Sequence, residues 1–406
     1  MTVRGAEKLT QGTSCSRAGT RGVPMVRPPS SQETLTASQG SGLRIGEGAV
    51  TGHLFKIIRE RMPLTQRQLA ERLRVDPTTV QGWESGRRPL TAVASSAFLA
   101  LRRKMLRNGA DPALLVLLDP AMEADSVIAH ALSDDGRSQD IADHPLAGWV
   151  FTRAATHMIA WALTGDAPPT VSRTTIATVR RRGPSPVSPK LAGAERRRFF
   201  RHMRWCAEVA DHAGPDGDLL RRQALYLCSY DTSTDSHAWL GDMQSRRPIR
   251  LDHQIWTPAW TDARSLATSL TRYGDVDRLH SFIQRGMSND AGEMANLNYW
   301  AYWLGLDQCP RPDDSFMAER SSHRWDAGAL LRRLVDRLDP GLGCVDLNVH
   351  SVWALIASTP RVLASDPELG RDLHQRVCSL LDSDSVSSQS RRELDAVHYG
   401  LRLSNP

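Results

Sequence analysis

From Asp76 to Arg88 the chain reads Asp-Pro-Thr-Thr-Val-Gln-Gly-Trp-Glu-Ser-Gly-Arg-Arg. The polar side chains here suit recognition rather than bond-making. The Gln81 amide matches the N6/N7 edge of adenine bidentately, and a Thr78 methyl fits a thymine methyl. Thr79 either joins them or packs inside. Nothing in the chain points to catalysis: G-x-S-x-G, H-E-x-x-H and G-x-x-x-x-G-K-[S/T] are all missing. The thirteen histidines are scattered, with no two at i,i+4. Six cysteines, at 15, 206, 228, 309, 344 and 378, include no two within four residues, so no C-x-x-C metal or redox pair exists. Asp313-Asp314 and Asp382/Asp384 read as loop or capping acids. Glycines 46, 48 and 52 lack the strand that a phosphate loop requires. The expectation is no catalytic residue, no metal site and no cofactor.

Recognition side chains need a rigid mount. Leu54, Ile57 and Ile58 share one face of a helix over 53–62, which Pro63 stops. Thr65 caps a second helix, Gln66–Leu73, that turns Leu69, Ala70 and Leu73 inward. Asp76-Pro77 is a strong start for a third, Pro77–Glu84, which buries Val80 and Trp83 and stops at Gly86. Leu69, Val80 and Trp83 then form the wedge that holds helices two and three at a steep angle. That geometry lets the third enter a major groove about 12 Å wide.

The run Leu64-Thr65-Gln66-Arg67-Gln68-Leu69-Ala70-Glu71-Arg72-Leu73, followed by Val75 and by Thr78-Thr79-Val80-Gln81-Gly82-Trp83-Glu84-Ser85-Gly86-Arg87-Arg88-Pro89, resembles the Xre-type (phage-repressor-like, Cro-type) helix-turn-helix family. The resemblance implies a five-helix repressor-like domain that binds double-stranded DNA. It further implies that the Gln66 amide faces a phosphate, that Arg87 and Arg88 clamp phosphates, and that Arg59 and Glu84 form a buried structural pair, with Trp83 in the core. Two positions depart from the family pattern. Arg74 stands where glycine usually takes the left-handed turn, and Gly82 where a longer base-reading side chain is common.

Charge is distributed accordingly. The 406 residues carry net +6, with 40% hydrophobic and 24% charged residues. Residues 1–45 hold net +4 and 51–107 net +8, while 108–406 hold net −5. A basic field confined to one short segment suits a polyanion partner. Arg102, Arg103, Lys104 and Arg107 belong either to that contact or to a solvated face. All but four of the 51 cationic residues are arginine, the usage of an actinobacterial-type genome. No apolar run reaches about 18 residues and no secretory signal is present, so no membrane contact and a cytoplasmic location are expected.

The remaining organisation follows from periodicity. Residues 1–45, rich in Gly, Ser, Thr and Pro, read as a disordered basic arm. Residues 46–133 hold the helix-turn-helix domain with trailing helices at 91–107, 112–118 and 121–132. A polar linker at 134–143 leads to an all-helical region, 145–406, with an exposed loop at 165–189. Ten of the eleven tryptophans lie in this last region, and pairs such as Trp256/Trp260 and Trp300/Trp303 fall at helical spacing. They read as inter-helix core or as a ligand or peptide groove. Arg272-Tyr273-Gly274-Asp275 resembles the turn of a tetratricopeptide helix pair, without a clean 34-residue period. The chain is therefore expected to be all-α: a sequence-specific DNA-binding transcriptional regulator. Its C-terminal helices would mediate homodimerisation or sense a peptide or small-molecule effector. The rival expectation is a helical scaffold or defence/partner-binding protein with an auxiliary helix-turn-helix.

Overall fold

The computed structural model describes residues 47–133, 140–172, 188–246, 256–319, 325–359, 361–363, 366–383 and 385–404. The expected arm (1–45), most of the linker and residues 173–187 of the expected loop lie outside them. Among the described residues the fold is all-α, with no strand. The first group of helices is α1 (Ala49–Arg61), α2 (Gln66–Leu73), α3 (Pro77–Glu84), α4 (Ser95–Arg107), α5 (Pro112–Leu115) and α6 (Leu118–Leu132). Next come α7 (Arg153–Thr164), α8 (Pro169–Ser172), α9 (Gly193–His212), α10 (Asp218–Cys228), α11 (Ser236–Arg246) and α12 (Pro258–Leu270). The chain closes with α13 (Asp277–Gly286), α14 (Asp290–Trp303), α15 (Ala327–Val335), α16 (Val345–Ser358), α17 (Pro367–Leu381) and α18 (Ser388–Ser404).

Local chemistry sets the ends of the first helices. Thr65 Oγ1 accepts from Gln68 N at 3.2 Å while Gln68 Oε1 accepts from Thr65 N at 2.9 Å, a reciprocal box that starts α2. Arg74 ends α2 in the left-handed region, with φ 59°. Asp76 Oδ1 accepts from Thr78 N at 2.7 Å and Pro77 occupies the first position of α3. Helix α1 has no side-chain cap of its own. A buried carboxylate from α6 replaces it: Asp125 accepts from Val50 N and Thr51 N, each at 2.9 Å, and from Thr51 Oγ1. Burial pushes Asp125 up to about 6 against these favourable bonds.

Two hydrophobic clusters fill the interior. The first runs from Val50 through Leu270 and the second from Val150 through Leu401. The first does not divide at residues 134–144: α1 packs on α3, α6 and α7, and α6 also packs on α9. Further along, successive helices are neighbours, α9 with α10, α12 with α13, α15 with α16, and α17 with α18. Segment 146–151 threads between the clusters. Gln223 Nε2 donates to Leu146 O at 2.7 Å and to Trp149 O at 3.0 Å, and its Oε1 accepts from Phe151 N at 2.7 Å. Within the expected loop, α8 buries Val171, whose carbonyl accepts from Arg61 on α1 at 2.5 Å. That bond ties α8 to α1, while Asp166, Ala167, Pro169, Thr170 and Ser172 of the same stretch are exposed.

Candidate nucleic-acid interface

The angle between α2 and α3 rests on a polar clamp beneath Leu69, Val80 and Trp83, all of which are buried. Arg59 on α1 reaches Glu84 with Nε to Oε1 at 2.5 Å and Nη2 to Oε2 at 3.0 Å, and donates from Nη1 to Leu64 O at 2.8 Å. The pair implied by the family resemblance is thus present, bidentate and buried. Gly52 lets α1 approach this closely. A Cβ there would lie 2.4 Å from the carbonyl oxygen of Trp83, closer than atoms can sit. The ring of Phe55 meets Trp83 edge-on, with centroids 5.7 Å apart.

Each candidate contact residue has a definite place. Thr78 and Gln81 are exposed on the outer face of α3. The Thr78 hydroxyl donates to Asp76 Oδ1 at 2.5 Å and is thereby engaged within the chain. These bonds hold the Asp76 carboxyl below its usual range. Thr79 is corrected: it is 1% exposed, and its hydroxyl accepts from Arg88 Nη1 at 3.3 Å. It supports the interface from inside and does not reach base edges. Gln66 is half-buried and donates from Nε2 to Glu84 Oε2 at 2.7 Å. Its amide N–H therefore joins the Arg59–Glu84 clamp, and a phosphate contact by that N–H would have to break this bond. Arg87 and Arg88 are exposed just beyond α3.

The glycine at 82 has a structural counterpart. A Cβ on Gly82 would stand 3.1 Å from Cγ and Cδ of Arg88, and Arg88 N donates to Gly82 O at 3.0 Å. The Arg88 stem thus lies across the position where a longer side chain on α3 would sit. Arg67, Arg72 and Arg74 add exposed cations on and after α2. Lys104 does not join them. Its Nζ donates to Leu73 O at 2.7 Å and so caps α2. Arg102 pairs with Asp119 at 3.0 Å. Arg103 and Arg107 remain exposed on α4.

Away from this face, the structure gathers histidines that are scattered in the sequence. His130, His144 and His202 bring ligand atoms within 4.8 Å of one another, and so do His374, Cys378 and His398. The usable signal was a mixed His/Cys pair at i,i+4, present as His202/Cys206 and His374/Cys378. In the first group, His144 Nδ1 accepts from Leu146 N at 3.0 Å, which leaves the ring proton on Nε2, 3.3 Å from His202 Nε2. Burial pushes His144 down to about 3, with His130 and His202 adding to the effect. The neutral ring is therefore a hydrogen-bond donor to His202, and a cation on that nitrogen would have to displace its proton.

A sequence model of the helix-turn-helix family matches residues 55–96, which covers α1 from Phe55 through α2, α3 and the start of α4. No curated protein and no solved structure matches the chain. Segment 55–96 is thus similar to a helix-turn-helix.

Proposed function

We propose that the protein is a sequence-specific DNA-binding transcriptional regulator of the cytoplasm. Helix α3 reads an operator, and the C-terminal helices mediate dimerisation or respond to an effector. The observation that carries this reading is the outer face of α3. Thr78 and Gln81 are exposed there between a capped N-terminus and the exposed Arg87 and Arg88, while everything behind them is locked by Gly52, Trp83 and the Arg59–Glu84 pair. With Thr79 withdrawn, few side chains of one copy meet bases. Useful discrimination requires specific binding to exceed non-specific binding by about 10³ or more. Two copies on a pseudo-palindromic site spaced by about one helical turn supply that. Of the ten tryptophans beyond residue 140, Trp161, Trp260 and Trp300 are buried in the core and the other seven are half-buried. Selection of bound duplexes from a random pool by the full-length protein tests the reading. The expected result is enrichment of a two-fold-related sequence. Recovery of unenriched sequence with only salt-sensitive affinity would instead favour a scaffold with an auxiliary helix-turn-helix.

A further inference from the structure

A cavity of about 470 Å³ opens between α7, α10, α12 and α14. That is within the range for small-molecule sites. Arg153, Arg264, Arg272 and Arg337 line it with His157, and among the described residues the one carboxylate on its wall is Asp166. Aromatic rings lie against three of these arginines, Arg264, Arg272 and Arg337. The Arg264 guanidinium carbon lies 3.9 Å from the Tyr299 centroid and 5.0 Å from that of Trp300. Arg337 also lies 5.0 Å from the Trp300 centroid. Arg272 sits 4.2 Å from the Tyr230 centroid and donates to the hydroxyls of Tyr226 and Tyr230 at 2.7 and 3.0 Å.

Arg264 is 3% exposed, and its Nε donates to Asn296 Oδ1 at 3.0 Å. Its Nη2 has no hydrogen-bond partner among the described residues, and neither has Nε of Arg337. Both nitrogens are themselves closed to solvent, so an anion in the cavity reaches them only if the side chains turn; what the cavity offers directly is the positive field of its four guanidiniums. The local field has two further signs. Burial pushes Arg264 down to about 10. His157 is pushed down to about 4, by burial first and then by Arg153, Arg337 and Arg272.

We propose that this cavity binds a small ligand that joins a phosphate group to a planar ring, about the size of a mononucleotide. Guanidinium forks match phosphate oxygens bidentately. The half-buried ring of Trp303, stacked on Tyr299 at 5.8 Å and met by Tyr226 at 6.0 Å, places an aromatic cluster on the wall beside the planar part. Helix α7 carries Arg153 and His157 on the cavity wall and buries Trp161, whose ring meets His53 of α1 edge-on at 5.2 Å. Occupancy thus bears on the helix-turn-helix side, a consequence that rests on the proposed function.

The test uses no DNA, so its failure and that of the proposed function are separable. Full-length protein is titrated calorimetrically with AMP, GMP, CMP, UMP and p-nitrophenyl phosphate, and with adenosine and inorganic phosphate as half-ligands. At least one ring phosphate should bind saturably at millimolar concentration or below, more tightly than either half-ligand. Arg337→Gln should weaken it about tenfold. Arg264→Met should do the same while keeping the wild-type circular dichroism spectrum and a cooperative melt. Failure of all five ring phosphates to bind, or binding unaltered in a folded Arg337→Gln protein, would overturn the site.

Discussion

Arginine is buried at both ends of this molecule, and what faces it differs. In the helix-turn-helix, Arg59 meets the Glu84 carboxylate with two nitrogens and a backbone carbonyl with a third. In the C-terminal region, Arg264 meets an amide oxygen and two aromatic faces, with Nη2 left over. Closed pairs also occur in the second region, as Arg222 shows by donating to Asp314 at 2.8 and 2.7 Å. The contrast is therefore one of site and not of domain. A guanidinium whose donors are all matched holds helices together, whereas one stored on rings keeps its capacity for an incoming anion.

Substitutions sharpen the contrast by size. Arg59→Leu strands a buried Glu84 carboxylate and should lower the unfolding free energy by about 3–5 kcal/mol in denaturant titrations. Gly52→Ala drives a methyl into the carbonyl of Trp83. It should cost about 3 kcal/mol and splay α1 from α3, with a parallel loss of DNA binding. A neutral result would mean that α1 and α3 can separate freely.

Acid titration should move the two regions in opposite senses. The folded Asp125 carboxyl sits at about 6, above its ordinary 3.8. The native state thus holds the extra proton between those values, and stability gained at low pH is lost as pH rises through about 6. Relative to Asp125→Asn, wild-type protein should gain on the order of 2 kcal/mol on going from pH 7 to pH 4. His157 sits at about 4, below its ordinary 6.5, so the stability it contributes is present above about 6.5 and lost as pH falls through about 4. His157→Gln should flatten that loss. Curves for both variants that parallel the wild type would remove these groups from the pH dependence. A smaller effect is expected at Arg264→Met, about 1–3 kcal/mol, because it leaves the buried Asn296 amide oxygen without its donor but strands no carboxylate. A loss as large as that of Arg59→Leu would erase the distinction between the two arginines.

Much of the first region was legible in the sequence. Helices α2 and α3 begin and end where Thr65, Asp76-Pro77 and Gly86 require, since capping is local chemistry. Arg74 takes the left-handed turn that its place in the motif implies. The sequence left Thr79 open between the reading face and the interior: one position on an eight-residue helix changes faces with a small rotation, and the structure buries it beneath the bond from Arg88. Helix α11 carries a weak periodic signal, only Leu240 and Met243 being large buried side chains. The cavity was hidden for another reason. Its arginines and rings come from α7, α10, α12 and α14 and from the segments that follow α10, α12 and α15, and the stripes at Tyr299/Trp303 and Tyr226/Tyr230 look in sequence like any core face.

The most direct measurement compares Gln81→Ala with the double variant Arg87→Ala/Arg88→Ala, on the selected duplex and on a scrambled one, across a salt series. Gln81→Ala should lose about 1–3 kcal/mol on the selected duplex and nothing on the scrambled one. The double variant should weaken both alike and reduce the slope of log K against log salt by about 1.8. If Gln81→Ala binds both duplexes with the wild-type ratio of affinities, α3 does not read the sequence and the proposed function is wrong.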